Sequence, residues 1–140
     1  MTKINIYNQE VDEAIYGYVI NDNIFFDIKR GCLWNIDVKN HGSKSISRVV
    51  LRKTTNRLLT FMLHSYTSCG SADAEIDVEN LMFNVWDKYN LQSSNQRLWQ
   101  SIKFLNFKLI KLGEPEDMFF RSGGTLFVRS YVRIKPLHIV

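Results

Sequence analysis

From Gly17 to Ile36 the chain reads GYVINDNIFFDIKRGCLWNI. Tyr18, Ile20, Ile24, Phe26 and Ile28 alternate with other residues, the period-two spacing of strands with one buried face. Asn21-Asp22-Asn23 and Lys29-Arg30-Gly31 supply turn chemistry between them. The pattern predicts a strand meander. Residues 37–47, with His41-Gly42-Ser43, predict a longer loop leading into a further short strand near Ser45–Val50.

From Thr54 the period changes. Leu58, Leu59, Met62 and Leu63 recur at helical spacing, Thr54 or Thr55 can cap the start, and Cys69-Gly70-Ser71 ends the helix. A second helix opens at Asp77, whose carboxylate suits free amides and the positive helix end. Its apolar stripe is Val78, Leu81, Met82, Val85 and Trp86. After a polar connection, Lys88 to Ser94, a third helix starts with Ser94 or Ser93 as cap. It runs to about Lys111 and is stopped by Gly113 and Pro115. Two strands follow, Met118–Arg121 and Thr125–Ile134, joined at Ser122-Gly123-Gly124. Strands, three helices and a hairpin make an α+β domain.

At 100° per residue, Ile102, Leu105 and Leu109 fall within about 40° of Leu98 and form the buried stripe of the third helix. Gln96, Gln100 and Lys103 point away from it, at about 140–200°. Arg97 and Trp99 lie on the flanks. Gln can bond adenine bidentately, and Arg or Lys can meet guanine, so this exposed half suits base-edge readout as well as it suits a solvated face. Phe104 and Phe107 fall on the side that is wet in a monomer, either as a partner site or packed beneath the hairpin or a strand.

Charge sharpens this picture. Residues 1–94 hold ten Lys/Arg against eleven Asp/Glu, net −1, and residues 95–140 hold eight against three, net +5. A second basic run, Lys44, Arg48, Arg52, Lys53 and Arg57, contains no acid. Such asymmetry suits a polyanion or a solvated basic face. In 140 residues one core-forming domain is expected. Cys32 and Cys69 do not make a disulfide framework and read as reduced thiols; a redox switch requires their sulfurs to be close. His41, His64 and His138 stand far apart, so no metal site or cofactor is expected. Acids interrupt the N-terminus where a signal peptide is apolar, and the uncharged run Leu58–Ala72 is too short to span a bilayer. A cytoplasmic protein without membrane insertion is expected.

Four segments, NDNIFFDIKRGCLWN, RKTTNRLLTFMLHS, EIDVENLMFNVWDKYN and QSIKFLNFKL, resemble in order the DNA-binding domain of OmpR-type bacterial regulators, in its ToxR/CadC-like branch. The resemblance runs from about Gly17 to Val128, some four fifths of the chain. It implies a winged helix-turn-helix over residues 17–130, flanked by an N-terminal arm, 1–16, and a C-terminal tail, 131–140. It further implies that the helix matching Ser94–Lys111 enters the major groove of double-stranded DNA, with the 118–134 hairpin as the wing.

Base readout is then expected from Asn95, Gln96, Arg97, Trp99, Gln100 and Lys103. Phosphate contacts are expected from Arg52, Lys53, Ser94, Lys108, Arg121 and Arg129. The loop 88–94 is expected to meet RNA polymerase or a partner subunit. The family's two basic residues after the leucine matching Leu105 are replaced by Asn106 and Phe107, and the wing's Gly-Tyr by Gly124-Thr125. Neither a receiver domain nor a transmembrane segment is expected. Activity is therefore expected to depend on abundance, a homodimer or a partner regulator, with the arm and tail as contacts. The expectation is a sequence-specific DNA-binding transcription regulator, nucleoid-associated when bound. The alternative is a degenerate winged helix acting as a protein-interaction module. An enzyme is not expected, for no GxSxG elbow, P-loop or GxGxxG occurs.

Overall fold

A computed structural model describes residues 14–36, 48–69 and 75–139. The alternating segment forms three antiparallel strands: β1 (Ile15–Ile20), β2 (Ile24–Asp27) and β3 (Cys32–Asn35). The alternation works as expected, since Tyr18, Ile20, Ile24, Phe26 and Leu33 are fully buried. Asn21 and Asp22 turn the chain with positive φ, 51° and 57°, which Asn and Asp tolerate better than most residues. β4 (Arg48–Val50) adds to β3; the loop expected over 37–47, and with it Lys44, lies outside the described residues.

Three helices follow. α1 spans Lys53–Cys69, so it begins ahead of Thr54 and Thr55 and neither residue caps it; the Asn56 amide donates to the Arg52 carbonyl at 2.8 Å. β5 (Glu75–Ile76) comes next, too short to carry an alternation. α2 (Val78–Val85) is capped by Asp77, whose carboxylate accepts from the Asn80 amide. A 3-10 turn over Asp87–Tyr89 and left-handed Asn90 reverse the chain. α3 (Asn95–Lys111) is capped by Ser94, which accepts from the Arg97 amide at 3.1 Å.

The end of the chain departs from the expected pair of strands. β6 (Phe119–Ser122) and β7 (Thr125–Val128) form the hairpin. Gly123 and Gly124, at φ 57° and 87°, supply the two left-handed residues of its tight turn. The strand expected to continue to Ile134 stops at Val128, and β8 (Ile134–His138) begins a separate pairing with β1. The reason is a clamp. Asn21 donates its amide to the Arg133 carbonyl at 2.8 Å and accepts the Arg133 amide on Oδ1 at 2.7 Å, while the Tyr66 hydroxyl donates to the Val132 carbonyl. These contacts carry the chain from one sheet to the other. The segment expected as a tail is thus a strand of the domain.

The result is α+β: an antiparallel five-stranded sheet, β4-β3-β2-β1-β8, and a three-stranded sheet, β5-β7-β6. A continuous core joins both sheets to Leu58, Leu59, Met62 and Leu63 of α1, Leu81 and Val85 of α2, and Leu98, Ile102, Leu105 and Leu109 of α3.

Candidate nucleic-acid interface

The periodicity that buries Leu98, Ile102, Leu105 and Leu109 turns Gln96, Arg97, Gln100 and Lys103 outward; all four are exposed, as is Asn95 at the first position of the helix. Ser94 is also exposed, with its hydroxyl oxygen engaged in the helix cap. Arg97 reaches back, donating from Nη1 to the Gln92 carbonyl at 3.2 Å. The loop entering α3 is tied down further by the Ser93 amide, which donates to the Asp87 carboxylate. The first turns of α3 are therefore a fixed platform with free amide heads.

The hairpin meets this platform through Arg121. Trp99 is half-buried on the flank of α3, and the Arg121 guanidinium stacks over its ring 4.8 Å from the centroid. A stacked Arg keeps its fork of N–H donors available at the ring edge. Arg129 is placed differently. Its Nε donates to the Asp117 carbonyl at 3.0 Å and lies 3.9 Å from the Glu116 carboxylate. Its guanidinium also covers Phe120, itself stacked on Phe127. The expected phosphate residue Arg129 thus has local partners, and Arg121 is the hairpin cation brought to α3.

Arg52 and Lys53 are exposed at the start of α1. One turn on, Arg57 donates to the Val85 carbonyl at 3.4 Å and stacks over Tyr89 at 3.6 Å. The basic end of α1 is thereby joined to the loop that precedes α3. Opposite in sign, Glu75, Asp77 and Glu79 line an open groove beside Gly124 and Thr125 at the hairpin tip. Three carboxylates there make that side of the hairpin unfavourable to an anion.

Two residues of α3 are placed in ways that matter most. Asn106 does not face outward. It is buried, with Nδ2 donating to the Phe119 carbonyl at 2.8 Å and Oδ1 accepting the Phe119 amide at 3.0 Å. It latches β6 onto α3 in the manner of a strand neighbour. The signal was in the periodicity, about 80° from Leu98 and beside the buried stripe. Phe104 and Phe107, by contrast, are 43% and 53% exposed, so neither packs beneath the hairpin. Lys108 lies half-buried between them, its ammonium 5.4 Å and 5.9 Å from the two rings.

No family model and no curated protein matches this chain. No helix among the described residues is long and apolar enough to cross a membrane. Cys32 is buried and donates to the Arg30 carbonyl; the Cys69 side chain lies outside the described residues, and with it the question of a redox pair.

Proposed function

We propose that this chain is a sequence-specific DNA-binding transcription regulator with a winged helix-turn-helix. α3 reads the major groove, and the β6–β7 hairpin contacts the backbone as a wing. One observation carries the reading: Gln96, Gln100 and Lys103 share an exposed face of α3, and Arg121 stands on its flank over Trp99. Amide heads offer the paired donor and acceptor that adenine requires, and Lys103 offers a donor to guanine. Arg121, fixed by stacking, is a phosphate contact that sets register without reading sequence. Arg52 and Lys53 contribute from α1. The order α2, turn, α3, hairpin supports the winged reading, and the absence of acid from 95 to 111 supports polyanion binding.

The role places the protein in the cytoplasm, on the nucleoid when bound. One short reading helix covers a single half-site, so a homodimer or a partner regulator completes the assembly. The loop 88–94, which presents Tyr89 and Leu91 to solvent, is the surface for polymerase or that partner.

A salt titration on random duplex DNA tests the reading. Affinity is expected to fall by roughly 0.9 log units per log unit of salt for each phosphate contact. Arg121→Ala should weaken all sequences alike and lower the slope by about one. No binding at about 50 mM salt would falsify the DNA reading. A second reading, a protein-interaction module, is favoured by the exposed Phe104 and Phe107 and by the local engagement of Arg129; it expects that absence of DNA binding.

A further inference from the structure

The third helix wastes apolar surface where a monomer has no use for it. Phe104, Phe107 and Ile110 are 43%, 53% and 40% exposed, although the core side of the same helix is filled by Leu98, Ile102, Leu105 and Leu109. Phe107 lies on the same line of the helix as Gln96 and Gln100, and Phe104 only about 60° to one side. The rings therefore continue the face assigned to base reading. At about 1.5 Å per residue they stand roughly 6 Å and 10 Å beyond Gln100, about two and three base steps along a groove.

Charge says what covers them. The Lys108 and Lys111 ammonium groups lie over the rings, Lys111 at 5.1 Å from Phe107. Residues 95–111 contain four cations and no acid. An apolar spot on a helix stretch that carries cations and no acid fits a surface that is apolar at its centre and anionic at its edges. The thymine edge of the major groove is such a surface: it carries a 5-methyl group between two phosphate chains.

We propose that Phe104 and Phe107 read thymine, packing on the 5-methyl groups of bases next to those met by Gln100 and Lys103. This rests on the reading of α3 as the groove helix. Lys108 and Lys111 then move from the rings to the flanking phosphates. The site prefers A·T steps under the aromatic half of the helix.

The test compares the full chain on three duplexes of equal length: alternating dA-dT, the same with deoxyuridine for thymidine, and alternating dG-dC. Deoxyuridine removes only the methyl group. Wild-type protein is expected to bind the thymine duplex about fourfold tighter than the uracil duplex per methyl covered. Phe104→Ala with Phe107→Ala should abolish that difference, the thymine and uracil duplexes then binding the variant equally. Equal wild-type affinity for the thymine and uracil duplexes overturns the proposal and leaves the DNA reading standing. A thymine preference that survives the double substitution also overturns it. Failure to bind any of the three duplexes overturns the DNA reading itself. The wild-type comparison needs no variant to fold.

Discussion

The two halves of α3 share one helix and one buried stripe, yet spend their remaining positions in opposite ways. The N-terminal half, Asn95 to Lys103, holds its polar side chains in water behind a Ser94 cap. The C-terminal half sends its amide inward and its aromatics outward: Asn106 is buried against Phe119, while Phe104 and Phe107 are exposed. Residue type alone predicts the reverse, since amides are mostly exposed and phenylalanines mostly buried. The difference teaches that the hairpin, not the helix, sets the chemistry of the second half. β6 leaves a backbone N–H and C=O facing α3, and only a side chain with both a donor and an acceptor satisfies them together.

That contrast can be broken most forcefully at Asn106. Asn106→Ala leaves the Phe119 N–H and C=O buried without partners, and is expected to cost about 3 kcal/mol in urea unfolding. An unshifted midpoint would show that β6 is held by other contacts. In the first half the effect should fall on recognition instead. Gln100→Ala and Lys103→Ala are each expected to lose about 1–3 kcal/mol of specific DNA affinity, with stability unchanged. If a selected site and a random duplex lose affinity equally, the reading face is misplaced.

A smaller effect separates the halves by dynamics. Ser94→Ala removes the acceptor for the Arg97 amide and should cost about 1 kcal/mol. Hydrogen exchange should quicken at the start of α3 and stay unchanged near Leu109; uniform quickening along the helix argues against a local cap.

The smallest effect lies just past the C-terminus of α3, where Glu114 accepts a bond from Asn21 at 2.7 Å. Burial pushes its carboxyl above the ordinary range, against the lowering effect of the Asn21 bond. The fold thus favours the protonated acid. Its contribution is full below the unfolded carboxylate pKa and is lost as pH rises through the folded value. Glu114→Gln keeps an acceptor for Asn21 without ionising, so thermal melts should show it gaining on wild type as pH rises across that window. A gap that does not vary with pH contradicts the assignment.

Much of this was legible in the chain. The meander, the Asp77 and Ser94 caps, the bounds of α3 and its buried stripe follow from local rules, because a cap or a period involves residues only a few positions apart. The starts of α1 and β5 were less so. Arg52 offers no capping side chain, and two residues cannot display an alternation. The expected reading residues Asn95, Gln96, Arg97, Trp99, Gln100 and Lys103 do lie on one helix outside its buried stripe, while Arg129 and Arg121, alike in the sequence, part company in space. One meets a carboxylate and a carbonyl, and the other meets Trp99.

The sequence by itself determined the three helices, the Asp77 and Ser94 caps, the face of α3 that is wet, and the concentration of positive charge after residue 94. Tertiary structure decided the rest. It paired β8 with β1 through the Asn21 clamp, turned Asn106 into a latch and stacked Arg121 beside the platform. Each joins residues from different elements, such as Asn21 with Arg133 or Asn106 with Phe119. Local propensity cannot report such contacts, because a side chain's role there is set by the backbone groups that folding brings opposite it.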